Sequence, residues 1–308
     1  MNKLYVSSSP HIKDTKTTSS IMRNVVLALC PALIGSVLFF SLRALVIVGI
    51  SVISCVLFEF LYNHILRSKQ TIGDFSAVVT GMLLGFNLPV TVPIWLPVIG
   101  AAFAIIVIKM LFGGIGKNIV NPALGGRIFL FISFSSLMST WIAPISAVDH
   151  SAASLPLFAT VGGCLGETSA ILLIIGGLYL IYKKIITWHI PVSFLGTVAV
   201  ITFLFPHFTD ITRLEFMCYN LFGGGLMLGA IFMATDYTTS PITPKGKIIF
   251  GVGCGLLTVF IRYFGGYPEG VSFAIFLMNF FVWFIDQHTI PKKFGGKSNG
   301  FIFKRAKK

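Results

Sequence analysis

Few side chains in this 308-residue sequence can do chemistry, and most of those sit inside apolar runs. Glu59 lies within the apolar run 44–66. A carboxylate at membrane depth costs about 2.5–3.5 kcal/mol on insertion scales, so a residue of this kind points to an ion, a proton or a paired charge. Asp236 and Asp286 close two other apolar runs, where a carboxylate serves a loop contact or an ion route. Glu59 and Asp236 are the ion-path candidates. Lys109 and Arg127 flank a turn and are expected to snorkel toward the membrane surface, with Arg127 also placed to hold an anionic group at a helix start. Arg262 is their counterpart on the other face.

Other chemistries find no footing. His11, His64, His150, His189, His207 and His288 show no ligand spacing, so a haem or metal site is not expected. Cys30, Cys55, Cys164, Cys218 and Cys254 form no CxxC or CxxxC pair and read as apolar helix residues. The glycines of Gly113-Gly114-Ile115-Gly116-Lys117-Asn118 miss the phosphate-loop pattern. No serine–histidine–aspartate arrangement has usable spacing.

The elements that hold these residues follow from composition. The chain is 55% hydrophobic and 11% charged, with mean hydropathy +0.90. A soluble domain carries about 25% charged residues, so this is an integral membrane protein. Its apolar runs are continuous, which argues for helices over a barrel. The net charge of +13 sits mostly in short loops and a tail; it reads as membrane orientation, and no nucleic-acid partner is expected. A cleaved signal peptide is not expected either.

Ten apolar runs are predicted as helices, at 21–42, 44–66, 75–88, 94–112, 121–142, 166–182, 190–208, 217–235, 248–264 and 271–285. The third is stopped by Pro89 and Pro93, and the eighth is loosened by Gly223, Gly224, Gly225 and Gly229. With the N-terminus in the cytoplasm, most lysines and arginines fall on the cytoplasmic side, leaving Arg43, Arg213 and Arg262 on the other. Two marks recur in order. Gly81-Met-Leu-Leu-Gly85 is echoed by Gly225-Leu-Met-Leu-Gly229, and Phe112-Gly113-Gly114 by Phe264-Gly265-Gly266. Five helices separate the second pair, an odd number, so the fold expected is an all-α polytopic membrane protein of two inverted five-helix repeats. Its parts are a cytoplasmic tail (1–20), a first repeat (21–142), an outer-face loop (143–165), a second repeat (166–286) and a basic cytoplasmic tail (287–308). Paired broken helices in inverted repeats point to a site near the bilayer midplane.

Several stretches carry a family resemblance: Ser7-Ser8-Ser9-Pro10-His11, Gly81 to Gly85, the glycine-rich run ending at Asn118 with Asn121-Pro122-Ala123, Gly166-Glu167-Thr168-Ser169, Trp188-His189-Ile190-Pro191, Thr239-Ser240-Pro241-Ile242-Thr243-Pro244-Lys245-Gly246, and 264–273. Together they resemble the D subunit of Rnf-type ion-translocating electron-transport complexes, with the B subunit of the sodium-pumping NADH:quinone oxidoreductase more distant. The resemblance implies a subunit that is not catalytic alone. It would work in the inner (plasma) membrane beside other Rnf subunits, where electron transfer between ferredoxin and NAD drives Na+ or H+ translocation. It further implies FMN esterified to an outer-face threonine, and a riboflavin. Rival readings are a solute or ion transporter on the same fold, and a flavin-free structural subunit.

The attachment motif departs from the family pattern. Asp149-His150-Ser151-Ala152-Ala153-Ser154-Leu155-Pro156-Leu157 puts Leu155 where the modified threonine belongs, and leucine has no hydroxyl to esterify. Ser154 and Thr160 are the hydroxyls left as attachment candidates. The expectation is against a covalent FMN of the usual kind.

Overall fold

The structure, a computed structural model, describes residues 17–141, 163–167, 170–207, 212–265 and 270–291. Among these residues the regular structure is entirely helical. The chain runs α1 (Thr18–Phe40), α2 (Leu42–Ile65), α3 (Ser76–Phe86), α4 (Trp95–Met110) and α5 (Pro122–Ser133), then a one-turn helix Ser135–Met138. After a 3-10 turn at Leu165–Glu167 come α6 (Ala170–Tyr182), α7 (His189–Leu204), α8 (Arg213–Phe222), α9 (Leu226–Met233), α10 (Pro244–Phe264) and α11 (Gly270–Thr289). It is an all-α, multi-pass membrane protein.

The helix starts are written in local chemistry. The Thr17 hydroxyl accepts from the Ser20 amide at 3.2 Å. Asn121 and Thr243 cap α5 and α10, each followed by a proline whose missing N–H costs nothing in a first turn. Thr212 and Glu215 form a reciprocal capping box on α8. These caps move α10 to Pro244, four residues ahead of the predicted 248.

Four described helices, α1, α2, α10 and α11, are long and apolar enough to cross a membrane, and a fifth span results if α8 and α9 are joined across their 58° bend. The remaining five elements, α3 to α7, are shorter than the sequence reading proposed. At 16 residues, α4 rises only about 24 Å against a hydrocarbon thickness of about 30 Å. The fifth run breaks at Phe134 instead of reaching 142, the sixth begins as a 3-10 turn, and the seventh stops at Leu204. Packing makes this tolerable. Irregular backbone survives at membrane depth where protein surrounds it. The Leu165 amide donates to the Leu88 carbonyl at 3.0 Å, and the Leu165 carbonyl accepts from the buried Ser36 hydroxyl at 2.7 Å. Helix α3 is buried over nearly its whole length.

The eighth run is interrupted between α8 and α9, the third is a short unbroken helix ending at Phe86, and the fifth breaks as well, at Phe134. The break between α8 and α9 is made by Gly224 and Gly225, at φ 63° and 70°, a region L side chains rarely occupy. The two glycine echoes nonetheless do different work. Gly81 and Gly85 let α3 lie against the α2 backbone: a Cβ would stand 2.5 Å from Val52 Cα and 2.9 Å from Val48 Cα. Gly225 instead begins α9 with its backbone against Glu167, while Gly229 faces Val271 of α11.

Gly81→Ala is expected to cost about 1–3 kcal/mol through overpacking. Gly49→Ala, on α2 with nothing within 4 Å of the added methyl, is expected to be neutral or to stabilise by about 0.5–1 kcal/mol. Thermal unfolding in detergent micelles compares the two.

Candidate functional site

Glu59 is fully buried on α2, and its partner is Lys109, itself only 2% exposed. The ammonium stands 2.6 Å from Glu59 Oε2 and donates to the Ser76 hydroxyl, also at 2.6 Å. The Ser76 hydroxyl in turn donates to Asp74 Oδ1 at 2.6 Å, and Asp74 also accepts from the Ser76 amide at 2.8 Å. On the other side, Glu59 Oε1 accepts from the Thr71 hydroxyl. Thr71 accepts from Asn63 Nδ2 at 3.1 Å, and Asn63 Oδ1 accepts from the Ser68 hydroxyl at 2.7 Å. Ser68 is exposed, so a string of polar groups joins the buried carboxylate to the surface.

Local backbone geometry aims Lys109. Helix α4 begins as an α-helix and finishes as a π-helix over Phe103–Met110. The wider turn rotates the residues beyond it relative to the first half of the helix. A π segment often marks a functional position. The chain then reverses through Gly113, Gly114 and Gly116, with φ of 104°, 85° and 88°. That reversal returns Asn118 and Asn121 to the end of the bundle where Lys109 lies.

Between these groups lies a cavity of about 730 Å³, its open mouth included. Its polar wall includes Ser76, Lys109, Asn118, Asn121 and Asp236, and Leu83 and Phe232 stand among its apolar residues. The contributing segments are the start of α1, α3, the α4–α5 turn, the end of α6 and the α9–α10 loop. The lysine count assigns all of these segments to one face. Asn118 Oδ1 is buried in this wall with no hydrogen-bond partner among the described residues. The Asp236 carboxylate, half-buried beyond the end of α9, accepts from Thr238 at 2.9 Å and Thr239 at 3.2 Å. Burial pushes its carboxyl above the ordinary range despite those hydrogen bonds.

Lys109 and Arg127 therefore do not snorkel. Arg127, 4% exposed, is buried on α5. It donates to Asn87 Oδ1 at the end of α3, to Ser272 of α11 at 2.7 Å and to Cys164 Sγ at 3.5 Å, and lies 3.7 Å from Glu167. It ties the two halves together. Arg262 braces the α8–α9 break, donating to the carbonyls of Asn220, Gly223 and Gly224. Asp286 is a loop anchor, accepting from the Ile242 amide at 3.0 Å.

The structure thus places Glu59 in an ion pair and Asp236 on the wall of the neighbouring cavity. Ser154 and Thr160 lie outside the described residues. Among the described residues no cluster of three metal-ligating side chains exists, and all five cysteines are free thiols. Sequence reasoning missed Ser76 and the Asn118–Asn121 pair as site residues. The asparagines stood in a run already marked by its glycines, which was the available signal.

The sequence pattern of the NQR2, RnfD, RnfE family matches residues 5–295. The chain belongs to that family. Relatives agree over nearly all of its length. The chain is 45% identical, over 95% of both chains, to the D subunit of the Na(+)-translocating ferredoxin:NAD(+) oxidoreductase complex of Acetobacterium woodii. It is 41% identical to the D subunit of the proton-translocating ferredoxin:NAD(+) oxidoreductase complex of Clostridium ljungdahlii, over 96% of this chain and 97% of that one. The D subunit of the ion-translocating oxidoreductase complex of Yersinia enterocolitica is 34% identical over 95% of this chain and 98% of its own.

Breaking the ion pair from one side leaves a buried charge alone. Glu59→Gln is expected to cost about 3–5 kcal/mol, and the double variant Glu59→Gln/Lys109→Gln clearly less. Unfolding of the three proteins in detergent gives the coupling directly.

Proposed function

We propose that this chain is the D subunit of an Rnf-type complex, in which electron transfer between ferredoxin and NAD drives a monovalent cation across the membrane. The observation that carries this is likeness along the whole chain to subunits so named, at 45% and 41% identity. The two relatives are named for different ions, so their likeness leaves Na+ and H+ as equal alternatives. The subunit works with the other subunits of such a complex in the cell's inner (plasma) membrane, with both termini in the cytoplasm and its repeats inverted. The lysine-rich segments around the cavity support that orientation. Glu59 and Asp236 are the carboxylates of the ion path.

The cavity is the place for a dissociable flavin of the riboflavin class. It has the chemistry such a ring system needs. Apolar side chains, Leu83 and Phe232 among them, suit the benzenoid part, while Asn118 offers its carboxamide to the heteroatom edge. Asn118 Oδ1 is buried and still wants a donor, a cost of about 1–3 kcal/mol that a bound N–H relieves. A flavin bound there would supply the electron transfer, and the protein would set its position and potential. Asn118 would hold the ring edge, Lys109 would supply positive charge, and the apolar wall would exclude water. No covalent FMN of the usual kind is proposed, because Leu155 stands at the threonine position.

Two measurements test the proposal. The complex purified with this subunit and placed in liposomes is expected to take up Na+ or H+ when given reduced ferredoxin and NAD. The Glu59→Gln/Lys109→Gln complex is expected to assemble and to lose ion uptake. Undiminished uptake by that variant would remove Glu59 from the path. Separately, acid is expected to release flavin from the complex, and Asn118→Ala is expected to weaken its retention roughly five- to tenfold. On a denaturing gel this subunit's band is expected to be dark under ultraviolet light; a fluorescent band would mean a covalent flavin and send peptide mapping to Ser154 and Thr160.

A further inference from the structure

Lys109 faces two ways. Its ammonium is held by Glu59 and by Ser76, and both Lys109 and Ser76 are part of the cavity wall. We propose that Lys109 is a tethered counter-ion shared between Glu59 and the cavity. A negative charge arriving on the cavity ligand draws the ammonium off the carboxylate, and Glu59 then binds one monovalent cation in its place. This rests on the reading that the cavity holds a redox-active group.

The argument is one of charge balance in an apolar interior. Glu59 is 0% and Lys109 2% exposed, and an uncompensated charge at such depth is far costlier than a paired one. The pair is neutral as it stands. Extra negative charge in the cavity needs a cation, and Lys109 is already at the wall. Its four-carbon stem can turn without backbone movement, with Ser76 as the partner common to both positions. Once the ammonium leaves, Glu59 needs another cation, so one negative charge added corresponds to one cation bound. The vacated position offers hard oxygen donors, the carboxylate and the Thr71 hydroxyl, which suit Na+ or H+. The cation has a polar approach from exposed Ser68 through Asn63 and Thr71.

Other charged and titratable groups surround this arrangement. Cys55 lies on α2 within electrostatic reach of both partners. Asp74 touches Lys109 through Ser76. Asp236 lines the same cavity. Arg23 of α1 lies over the Phe75 ring at the start of α3, 4.8 Å from its centre. None of them donates directly to Glu59 among the described contacts, so Lys109 is the positioning residue that controls its occupancy.

The test uses dicyclohexylcarbodiimide, which modifies protonated carboxylic acids in apolar surroundings, on the assembled complex in sodium-free buffer, read by peptide mass spectrometry at Glu59. In the oxidised wild type, Glu59 is expected to be unlabelled. Reduction with titanium(III) citrate prepared without sodium is expected to expose it to labelling. Added Na+ then suppresses the label if Na+ is the cation taken, and has no effect if it is H+. In Lys109→Gln the carboxylate must already carry a proton, so labelling is expected without reduction and unchanged by it. Glu59→Gln/Lys109→Gln, which leaves no buried charge, is the folded control with no label at this position. Equal labelling of oxidised and reduced wild type, with flavin bleaching observed, would overturn the proposal, as would an unlabelled Lys109→Gln complex. The flavin reading fails separately, if no released flavin responds to Asn118→Ala. In that case the Lys109→Gln arm still decides whether Lys109 keeps a cation from Glu59.

Discussion

A buried charge in an apolar interior must be answered by another charge or by hydrogen bonds, and the interior of this protein is arranged around that requirement. Among the described residues, two buried cations and their partners occupy its depth. Lys109 answers Glu59, and Arg127 answers Glu167 while also holding Asn87, Ser272 and Cys164. The first pair borders a cavity that opens at the cation-rich end. The second binds α3, α5, α11 and the turn before α6 into one unit. Removing both partners of such a pair is tolerable; removing one is not. That asymmetry sets the cost of disturbing either pair from one side only.

The short helices serve the same end. A helix that stops inside the membrane leaves backbone groups that lipid cannot satisfy. Here protein satisfies them: Leu165 meets Leu88, Ser36 meets Leu165, and Arg262 meets the carbonyls at the α8–α9 break. In exchange, helix ends and loops reach the interior and bring polar groups with them. Asn121 illustrates this. It caps α5, and its side chain also donates to the Met233 carbonyl at 3.3 Å, joining the two halves beside the cavity.

Much of the architecture was legible because it depends on local or one-dimensional properties. Hydropathy marked ten apolar runs, Pro89 and Pro93 marked a short one, and the Gly223–Gly225 cluster marked an interrupted one. Lysine and arginine positions assigned faces, and the segments assigned to one face do gather around one cavity. Asn121-Pro122 and Thr243-Pro244 announced their helices by capping. Helix lengths were less legible. The runs 121–142 and 190–208 are apolar enough to continue, but tertiary packing ends their helices at Ser133 and Leu204.

By itself, the sequence determined the class of molecule, the order of its helices, their orientation preference and its family, and it singled out Glu59 as a candidate, since apolar content, charge placement and a lone intramembrane acid need no partner to be read. Tertiary structure alone decided what Glu59 meets. Lys109 stands fifty residues away on another helix, and its direction depends on a π-helical turn and on close glycine contacts that no periodicity reveals. The same holds for Arg127, which reads as a surface-seeking cation in one dimension and becomes a buried tie in three. Burial is a property of the assembled fold, and burial turns these ordinary charges into partners.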